Sequence, residues 1–262
     1  CSSSVKINSF YPWESVKSQI KKVVLPDGIT RITPKAFYNC VNLSEINLPD
    51  TITDIGAAVF SNCSALKTIT LPKNINYIPE SLFKGCSDLE SITIPDGVQL
   101  IDEDAFYCCY SLEGITIPSS ITGIGRYAFY NCSSLQKVKL PDGLKTVAGS
   151  SFSECHNLVE VVIPSTVEKI DRYAFSRCFE LRTVTIPEKV TEIGYNAFSE
   201  CRSITELKIP ASVESIQSEA FSGCNALVKI DVDPLNEHYA SQNGVLYDKN
   251  MTELIQCPAQ KE

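Results

Sequence analysis

The sequence repeats itself every 23 residues, and this period constrains the fold more than any other feature. Proline recurs in this step at positions 26, 49, 72, 95, 118, 141, 164, 187 and 210. Phenylalanine recurs in the same step from Phe37 to Phe221, and cysteine from Cys40 to Cys224. A fixed period of this length is typical of proteins in which each repeat packs only against its neighbours. The sequence therefore predicts one elongated domain, although 262 residues would otherwise favour about two compact ones.

Each repeat contains one segment with the pattern of a short β-strand. In one repeat, apolar Ile46 and Leu48 alternate with polar Glu45 and Asn47. The proline that follows ends the strand, because it has a fixed φ and no N–H to donate. A period of 23 residues lies within the range of leucine-rich repeats. We therefore predict an α/β leucine-rich-repeat solenoid with one parallel β-sheet of about ten short strands and shallow curvature. The segment between proline and cysteine is expected to hold a short extended piece and a helical turn around Ala-Phe.

The two ends of the chain depart from the repeat, as the capping units of a solenoid must. Residues 1–19 are predicted to form an N-terminal tether and cap, in which Phe10, Tyr11 and Trp13 could cover the first coil. The solenoid is expected over residues 20–232. Residues 233–262 are predicted to form a C-terminal cap that contains a β-hairpin, with arms at 245–247 and 253–256.

The repeat pattern A-F-x-x-C-x-x-L-x-x-I-x-I-P-x-x-V-x-x-I resembles the BspA-like, or Treponema-type, leucine-rich repeats of bacterial surface proteins. The resemblance covers roughly residues 20–232, and N-G-V-L-Y-D-K-N at 243–250 is also similar to an element of that family. It implies a right-handed superhelix, export to the cell surface, and a role in adhesion to host proteins, other cells or other microbes. The family shares no catalytic residues, so the resemblance implies none here.

Nine of the twelve cysteines occupy a single column of the repeat. These residues, which we call the ladder cysteines, are Cys40, Cys63, Cys86, Cys109, Cys132, Cys155, Cys178, Cys201 and Cys224. Stacked positions lie within disulfide range, but their parallel Cβ directions are poor geometry for a bond. We favour buried free thiols that pack as small apolar groups, with isolated disulfides as the alternative. Cys108 falls in a mostly polar column and is expected to be exposed.

Cys1 is followed by three serines, which resembles the start of a mature bacterial lipoprotein. In such a protein the first cysteine carries the lipid, so this resemblance implies lipidation at Cys1 and a lipid anchor. The alternative is a chain cut at an arbitrary point.

Composition and motifs argue against several classes of function. A net charge of −8 opposes general binding to nucleic acid or to an anionic membrane. No apolar run approaches the ~18 residues of a membrane-spanning helix. The chain has no Cys-x2-Cys pair, no G-x-G-x-x-G, no phosphate loop, no G-x-S-x-G and no H-E-x-x-H. We therefore predict a non-enzymatic protein with no catalytic residue, no cofactor and no metal site.

Nine residues are predicted to contact a partner. Four of them, Tyr110, His156, Phe179 and Arg202, occupy the column just after the ladder cysteines. Tyr107, Tyr127 and Tyr130 lie in the segments between proline and cysteine, and Lys137 and Lys139 lie on the outward face of one strand. His156, Phe179 and Arg202 come from consecutive coils, so they should be side-by-side neighbours. Exposed Tyr and Arg clusters are typical anchors for protein recognition. The alternative is that the rings simply cover neighbouring coils.

The sequence thus predicts a secreted or cell-surface protein-binding module that presents an extended repeat surface to host or microbial proteins or glycans, with adhesion as its function. The alternative is a structural spacer or display scaffold whose binding activity is located elsewhere in a larger protein or assembly.

Overall fold

The computed structural model describes residues 11–260. One side of the solenoid, which we call the first wall, is a row of short parallel strands. They are β1 (Lys22–Val24), β3 (Glu45–Asn47), β5 (Thr68–Thr70), β7 (Ser91–Thr93), β10 (Lys137–Lys139), β12 (Glu160–Val162), β15 (Glu206–Ile209) and β17 (Lys229–Val232). Two further coils reach the row through single bridges, at Gly114 and Thr116 and at Thr183. Paired residues such as Val138 and Val161 are 23 positions apart, so each coil is one repeat. The predicted solenoid with about ten strand positions is confirmed.

A second wall of two-residue parallel strands follows each proline. It comprises β2 (Arg31–Ile32), β4 (Asp54–Ile55), β6 (Tyr77–Ile78), β8 (Leu100–Ile101), β9 (Gly123–Ile124), β11 (Thr146–Val147), β13 (Lys169–Ile170), β14 (Glu192–Ile193) and β16 (Ser215–Ile216). These are the short extended pieces expected from the sequence. Because they also pair with one another, the solenoid has parallel strands on two walls, where one sheet was predicted.

The third wall consists of turns, where a helical turn was predicted. In the first repeat, Lys35 and Asn39 have φ of 63° and 62°, and equivalent residues of every later repeat are also left-handed. Such residues interrupt a right-handed helix. They also direct alternate N–H groups toward the next coil, so that Phe37 N donates to Val59 O at 3.0 Å. The α part of the α/β prediction is therefore wrong for residues 11–260, whose one helix is the short 3-10 helix Glu14–Gln19.

The interior is filled by the repeated apolar columns. Phe37 to Phe221 form a continuous stack in which adjacent rings lie 5.2–5.9 Å apart. The leucine column from Leu43 to Leu227 is fully buried. Every coil thus buries its apolar side chains mainly against the coils before and after it, as expected for a nearest-neighbour array.

Two aromatic side chains close the N-terminal end of the solenoid. Trp13 stacks on Phe37 at 5.9 Å, and Tyr11 stacks on Trp13 at 5.2 Å. Tyr11 Oη donates to Pro34 O at 2.6 Å and Trp13 Nε1 donates to Ala36 O at 2.8 Å. In later coils the equivalent carbonyls accept from the preceding coil, so these two side chains replace a missing coil. Phe10 and Cys1 lie outside the described residues.

The C-terminal end carries a three-stranded antiparallel sheet of β18 (Tyr239–Gln242), β19 (Val245–Asp248) and β20 (Leu254–Gln256). The two arms expected from the sequence pair as β19 and β20, and β18 is an additional strand. Buried Asn236 joins this sheet to the last coil, because its Nδ2 donates to Pro210 O and Val213 O, each at 2.9 Å. The division of the chain at residues 19/20 and 232/233 stays a prediction.

Candidate interaction surface

Three predicted residues form a continuous stack along one edge of the solenoid, which we call the edge stack (His156, Phe179 and Arg202). The rings of His156 and Phe179 are nearly parallel, at 6°, with centroids 4.7 Å apart. The guanidinium of Arg202 also lies over the Phe179 ring, 4.4 Å from its centroid. Each residue occupies the same position in its own coil, so the 23-residue register alone brings them together.

Acidic side chains two positions earlier hold both ends of the edge stack. Glu154 Oε2 lies 2.8 Å from His156 Nε2, and Glu200 Oε2 accepts from Arg202 Nη2 at 2.7 Å. The other oxygen of Glu154 accepts from Arg177 Nη1 at 2.9 Å, and this contact raises the pKa of Arg177. The stack is therefore fixed in orientation before any partner arrives, which lowers the entropy cost of binding.

The predicted tyrosines form a second group, the tyrosine cluster (Tyr107, Tyr127 and Tyr130). Tyr107 and Tyr130 are stacked with centroids 4.8 Å apart, and Tyr127 meets Tyr130 edge-on at 5.9 Å. Lys84 Nζ lies 4.4 Å from the centroid of Tyr107, and the guanidinium of Arg126 lies 5.4 Å from that of Tyr127. Both cations are close enough for cation–π attraction, so this group combines rings with positive charge.

The hydroxyls of Tyr107, Tyr110 and Tyr130 have a raised pKa and are neutral at physiological pH. Burial is the main cause of the raised pKa of Tyr107 and Tyr130, and Glu154 raises that of Tyr130 further. Tyr110, which is exposed, has its pKa raised to about 12, chiefly by a hydrogen bond with the Cys108 side chain. Neutral phenols can both donate and accept hydrogen bonds. The Glu154 carboxylate, which contacts His156, is also close enough to Tyr130 to raise its pKa, so it lies near both the edge stack and the tyrosine cluster.

The two predicted lysines lie on the first wall. Lys137 Nζ is 3.2 Å from Glu160 Oε2, which neutralises much of its charge. Lys139 is exposed and pairs in register with Val162, itself 45% exposed. Neither lysine forms a hydrogen bond, ion pair or cation–π contact with the edge stack or the tyrosine cluster in the described residues.

The nine ladder cysteines are buried free thiols in the structure. From Cys63 onward, each Sγ donates to the carbonyl of the phenylalanine 26 residues earlier, as Cys132 does to Phe106 O at 3.2 Å. Burial raises the pKa of every one, to about 12 for Cys155. The thiols therefore stay protonated and inert. Cys108 is half-buried rather than fully exposed, and Cys257 is exposed.

Sequence reasoning missed the acidic partners Glu154 and Glu200. Both lie in the column that precedes the ladder cysteine, and each has a left-handed φ near 60°. The available signal was a glutamate two residues before a cationic or titratable side chain, in two nearby repeats. This signal carries weight only once the turn geometry is known, because the left-handed conformation of each glutamate brings its carboxylate to the side chain two residues later.

Within residues 11–260, no group of three or more His, Cys, Asp and Glu side chains is arranged to hold a metal ion. The same part of the chain has no helix long and apolar enough to cross a membrane.

The two strand walls, the turn wall and the stacked columns define a solenoid of leucine-rich repeats. The profile of the BspA type Leucine rich repeat region, which spans six copies, matches residues 5–136 and 99–228. The chain therefore belongs to the BspA type leucine-rich repeat family, as its repeat pattern predicted.

Solved structures agree with this assignment. A leucine-rich repeat protein from Bacteroides ovatus is 31% identical, with a TM-score of 0.65, and the match covers 80% of this chain and 60% of that protein. The leucine-rich repeat protein of T. pallidum is 30% identical, with a TM-score of 0.52 and coverage of 70% and 78%. The pneumococcal vaccine antigen PcpA is 21% identical, with a TM-score of 0.57 and coverage of 83% and 63%, and shares the fold. No curated protein sequence matches significantly.

Proposed function

We propose that this chain is a non-enzymatic interaction module that is displayed at the cell surface and adheres to host or microbial proteins or glycans. The observation that carries the proposal is the joined array of the edge stack and the tyrosine cluster. It brings five aromatic or imidazole rings and three arginines, Arg126, Arg177 and Arg202, onto neighbouring coils. Tyr and Arg dominate the residues that contribute most to binding at protein interfaces.

The arrangement suits recognition better than catalysis. His156 and Arg202 of the edge stack are each already in contact with a glutamate, and the ladder thiols are buried and protonated. The edge stack and the ladder cysteines of the described residues therefore offer no nucleophile paired with a free base, which covalent catalysis would need. Rings held by neighbouring rings and by ion pairs can instead bury apolar surface and offer hydroxyls without first becoming ordered.

Surface display, and a lipid anchor at Cys1, belong to the same proposal. The B. ovatus relative is longer than the matched region, which covers 60% of it. Binding by a larger protein could therefore use surfaces besides the array. A scaffold that only spaces other domains is the competing function, and the experiment below separates the two.

The test compares adhesion of the wild-type chain with that of a triple variant, His156→Ala, Phe179→Ala and Arg202→Ala. The probes are a panel of immobilised extracellular-matrix proteins and a glycan array, read by surface plasmon resonance. Loss of hot-spot residues costs about 2 kcal/mol or more, so we expect binding to weaken at least about thirtyfold. The second variant, Tyr107→Ala with Tyr130→Ala, should weaken the same interaction.

A matched control removes the same chemical groups from other exposed positions. His238→Ala, Leu235→Ala and Arg182→Ala delete one imidazole, one apolar side chain and one guanidinium outside the array. This variant should bind as the wild type does, and circular dichroism should show that all variants fold. If both array variants bind every probe as tightly as the control, the array is not the contact surface and the scaffold function is favoured.

A further inference from the structure

The last coil leaves part of its turn wall without a partner. In eight successive coils, three alternate N–H groups of the turn wall donate to carbonyls of the next coil. In the final complete pair, Phe198 N donates to Ala220 O at 2.8 Å and Glu200 N donates to Ser222 O at 2.6 Å. The equivalent donors of the last coil belong to Glu219, Phe221 and Gly223. None of the three has a hydrogen-bond acceptor among residues 11–260.

The C-terminal cap satisfies the positions on either side of this gap. Tyr239 Oη accepts from Ile216 N at 2.7 Å, just before the open segment. Gln260 donates to Asn225 O through its side chain and to Leu227 O through its backbone, just after the segment. The donors without an acceptor among residues 11–260 thus lie at 219–223, and the cap hydrogen-bonds to the last coil only before and after this segment.

A groove of about 480 Å³ lies between this coil and the terminal sheet, and we call it the terminal groove. Its lining comes from residues 214 and 216–221 of the last coil and from residues 238, 239, 248 and 253–256 of the cap. Its apolar part includes Leu254, which is 58% exposed, on the strand β20. That strand pairs on one side only, with β19, so its other edge is also open.

The terminal groove is mainly acidic. Four carboxylates line it, from Glu214, Glu219, Asp248 and Glu253, together with the His238 imidazole and without any lysine or arginine. None of the four forms an ion pair with a described residue, whereas many acidic side chains along the solenoid pair with a cation of an adjacent coil. The groove therefore complements a cationic partner.

We propose that the terminal groove binds an extended peptide segment of a partner protein that carries lysine or arginine at alternate positions. The peptide would add a strand to the end of the solenoid, with its carbonyls accepting from the open turn wall. Its basic side chains would face the four carboxylates. Addition of a strand to an open edge is an established mode of peptide recognition, in which backbone bonds give affinity and side chains give specificity.

A second copy of the chain fits this edge less well than a peptide does. Head-to-tail stacking would need the carbonyls of the first coil, but Pro34 O and Ala36 O already accept from Tyr11 and Trp13. The two ends are therefore not complementary in this state. This inference concerns a different surface from the proposed adhesion array, so either can fail without the other.

The test uses a fluorescent decapeptide of alternating lysine and valine, with a decapeptide of alternating glutamate and valine as the comparison. Fluorescence anisotropy should detect binding of the first and not of the second. The variant Glu214→Gln, Glu219→Gln and Glu253→Gln should weaken binding about tenfold at low salt, because each charge contact contributes modestly and is screened by salt. Leu254→Lys should abolish it, by placing a like charge in the groove.

Matched controls change the same charge elsewhere. Glu103→Gln, Glu113→Gln and Asp142→Asn also remove three carboxylates outside any ion pair, and Leu235→Lys adds a lysine at an exposed leucine outside the groove. Both controls should bind the lysine peptide within about twofold of the wild type, since long-range charge is screened. Hydrogen exchange should show that the peptide slows the amides of 219–223 and leaves that of Glu200 unchanged.

Three results would overturn the proposal. The first is no binding of the lysine peptide at low salt. The second is equal weakening by the groove variants and their controls, because binding would then depend on net charge alone. The third is protection of the 219–223 amides without peptide, with a concentration-dependent rise in mass by sedimentation, which would assign this edge to a second copy of the chain.

Discussion

Removal of the Ser151 hydroxyl should strengthen the fold. This hydroxyl is fully buried and has no hydrogen-bond partner among the described residues. Ser151 occupies a column that holds fully buried alanine in the adjacent coils, at Ala128 and Ala174. The site therefore accepts a methyl group without rearrangement. We expect Ser151→Ala to stabilise the protein.

The magnitude follows from the cost of an unpaired polar group. A buried hydroxyl without a partner costs about 1–3 kcal/mol in proteins. Loss of one oxygen leaves little empty space, so most of that cost should be recovered. We expect a gain of about 1 kcal/mol, which corresponds to a rise in Tm of about 2–4 °C for a chain of this size.

Ser176→Ala is the matched control, because it is the same change at a serine that has a partner. Ser199 Oγ donates to Asn196 O at 3.1 Å, so Ser176 is the donor in the 2.9 Å contact between the two hydroxyls. Its removal should cost about 0.5–1.5 kcal/mol. Urea unfolding followed by circular dichroism measures both variants. A loss of stability in Ser151→Ala as large as that in Ser176→Ala would refute the reasoning.

Two further predictions concern the ladder thiols and the N-terminal cap. Burial raises the pKa of Cys155 to about 12, so the native state keeps a proton that the unfolded chain releases above about pH 8.5. The contribution of the Cys155 thiol to the free energy of unfolding is therefore full below that pH. It falls as the pH rises toward 12, by up to about 1.4 kcal/mol per pH unit. The slope of unfolding free energy against pH above about 9 should become shallower in Cys155→Ala and stay unchanged in Ser151→Ala, which removes no ionisable group, and equal slopes would contradict the linkage. Separately, Trp13→Phe keeps a ring on Phe37 but removes the donor to Ala36 O, and should cost about 0.5–1.5 kcal/mol in urea unfolding, whereas no change would mean that this carbonyl needs no partner.

The register of the fold could be predicted because it is a matter of counting. Residues 23 apart must stack once one coil is one repeat, which places His156, Phe179 and Arg202 together before any coordinates exist. The same counting explains the phenylalanine stack and the buried thiols. It gives no information on contacts between different columns, such as that of Glu154 with His156, because those depend on the shape of the turn.

The turn wall shows where the sequence signal ends. One left-handed column contains Asn39, Asn62 and Gly85, the residue types that tolerate positive φ, but also Glu154 and Arg177, which do not favour it. The other left-handed column carries this signal only at Asp104 and Asn196, and otherwise contains lysine, alanine, serine, tyrosine and glutamate. Hydrogen bonds between coils hold these residues in place, so tertiary context decides a conformation that local preference opposes.

The two ends of the solenoid pose different chemical problems, and this difference explains why one is closed and the other partly open. The first coil presents carbonyls, which hydroxyl and indole donors from Tyr11 and Trp13 can satisfy while their rings cover the core. The last coil presents N–H groups, and aromatic side chains offer few acceptors, so the Tyr239 hydroxyl reaches one of them. A partner backbone supplies carbonyls at the spacing of a strand, which suits Glu219 and Gly223 better than any side chain of the cap. Because every coil directs its turn-wall carbonyls toward the preceding coil and its N–H groups toward the next, side-chain donors close the first coil and the last coil keeps N–H groups that a peptide can use.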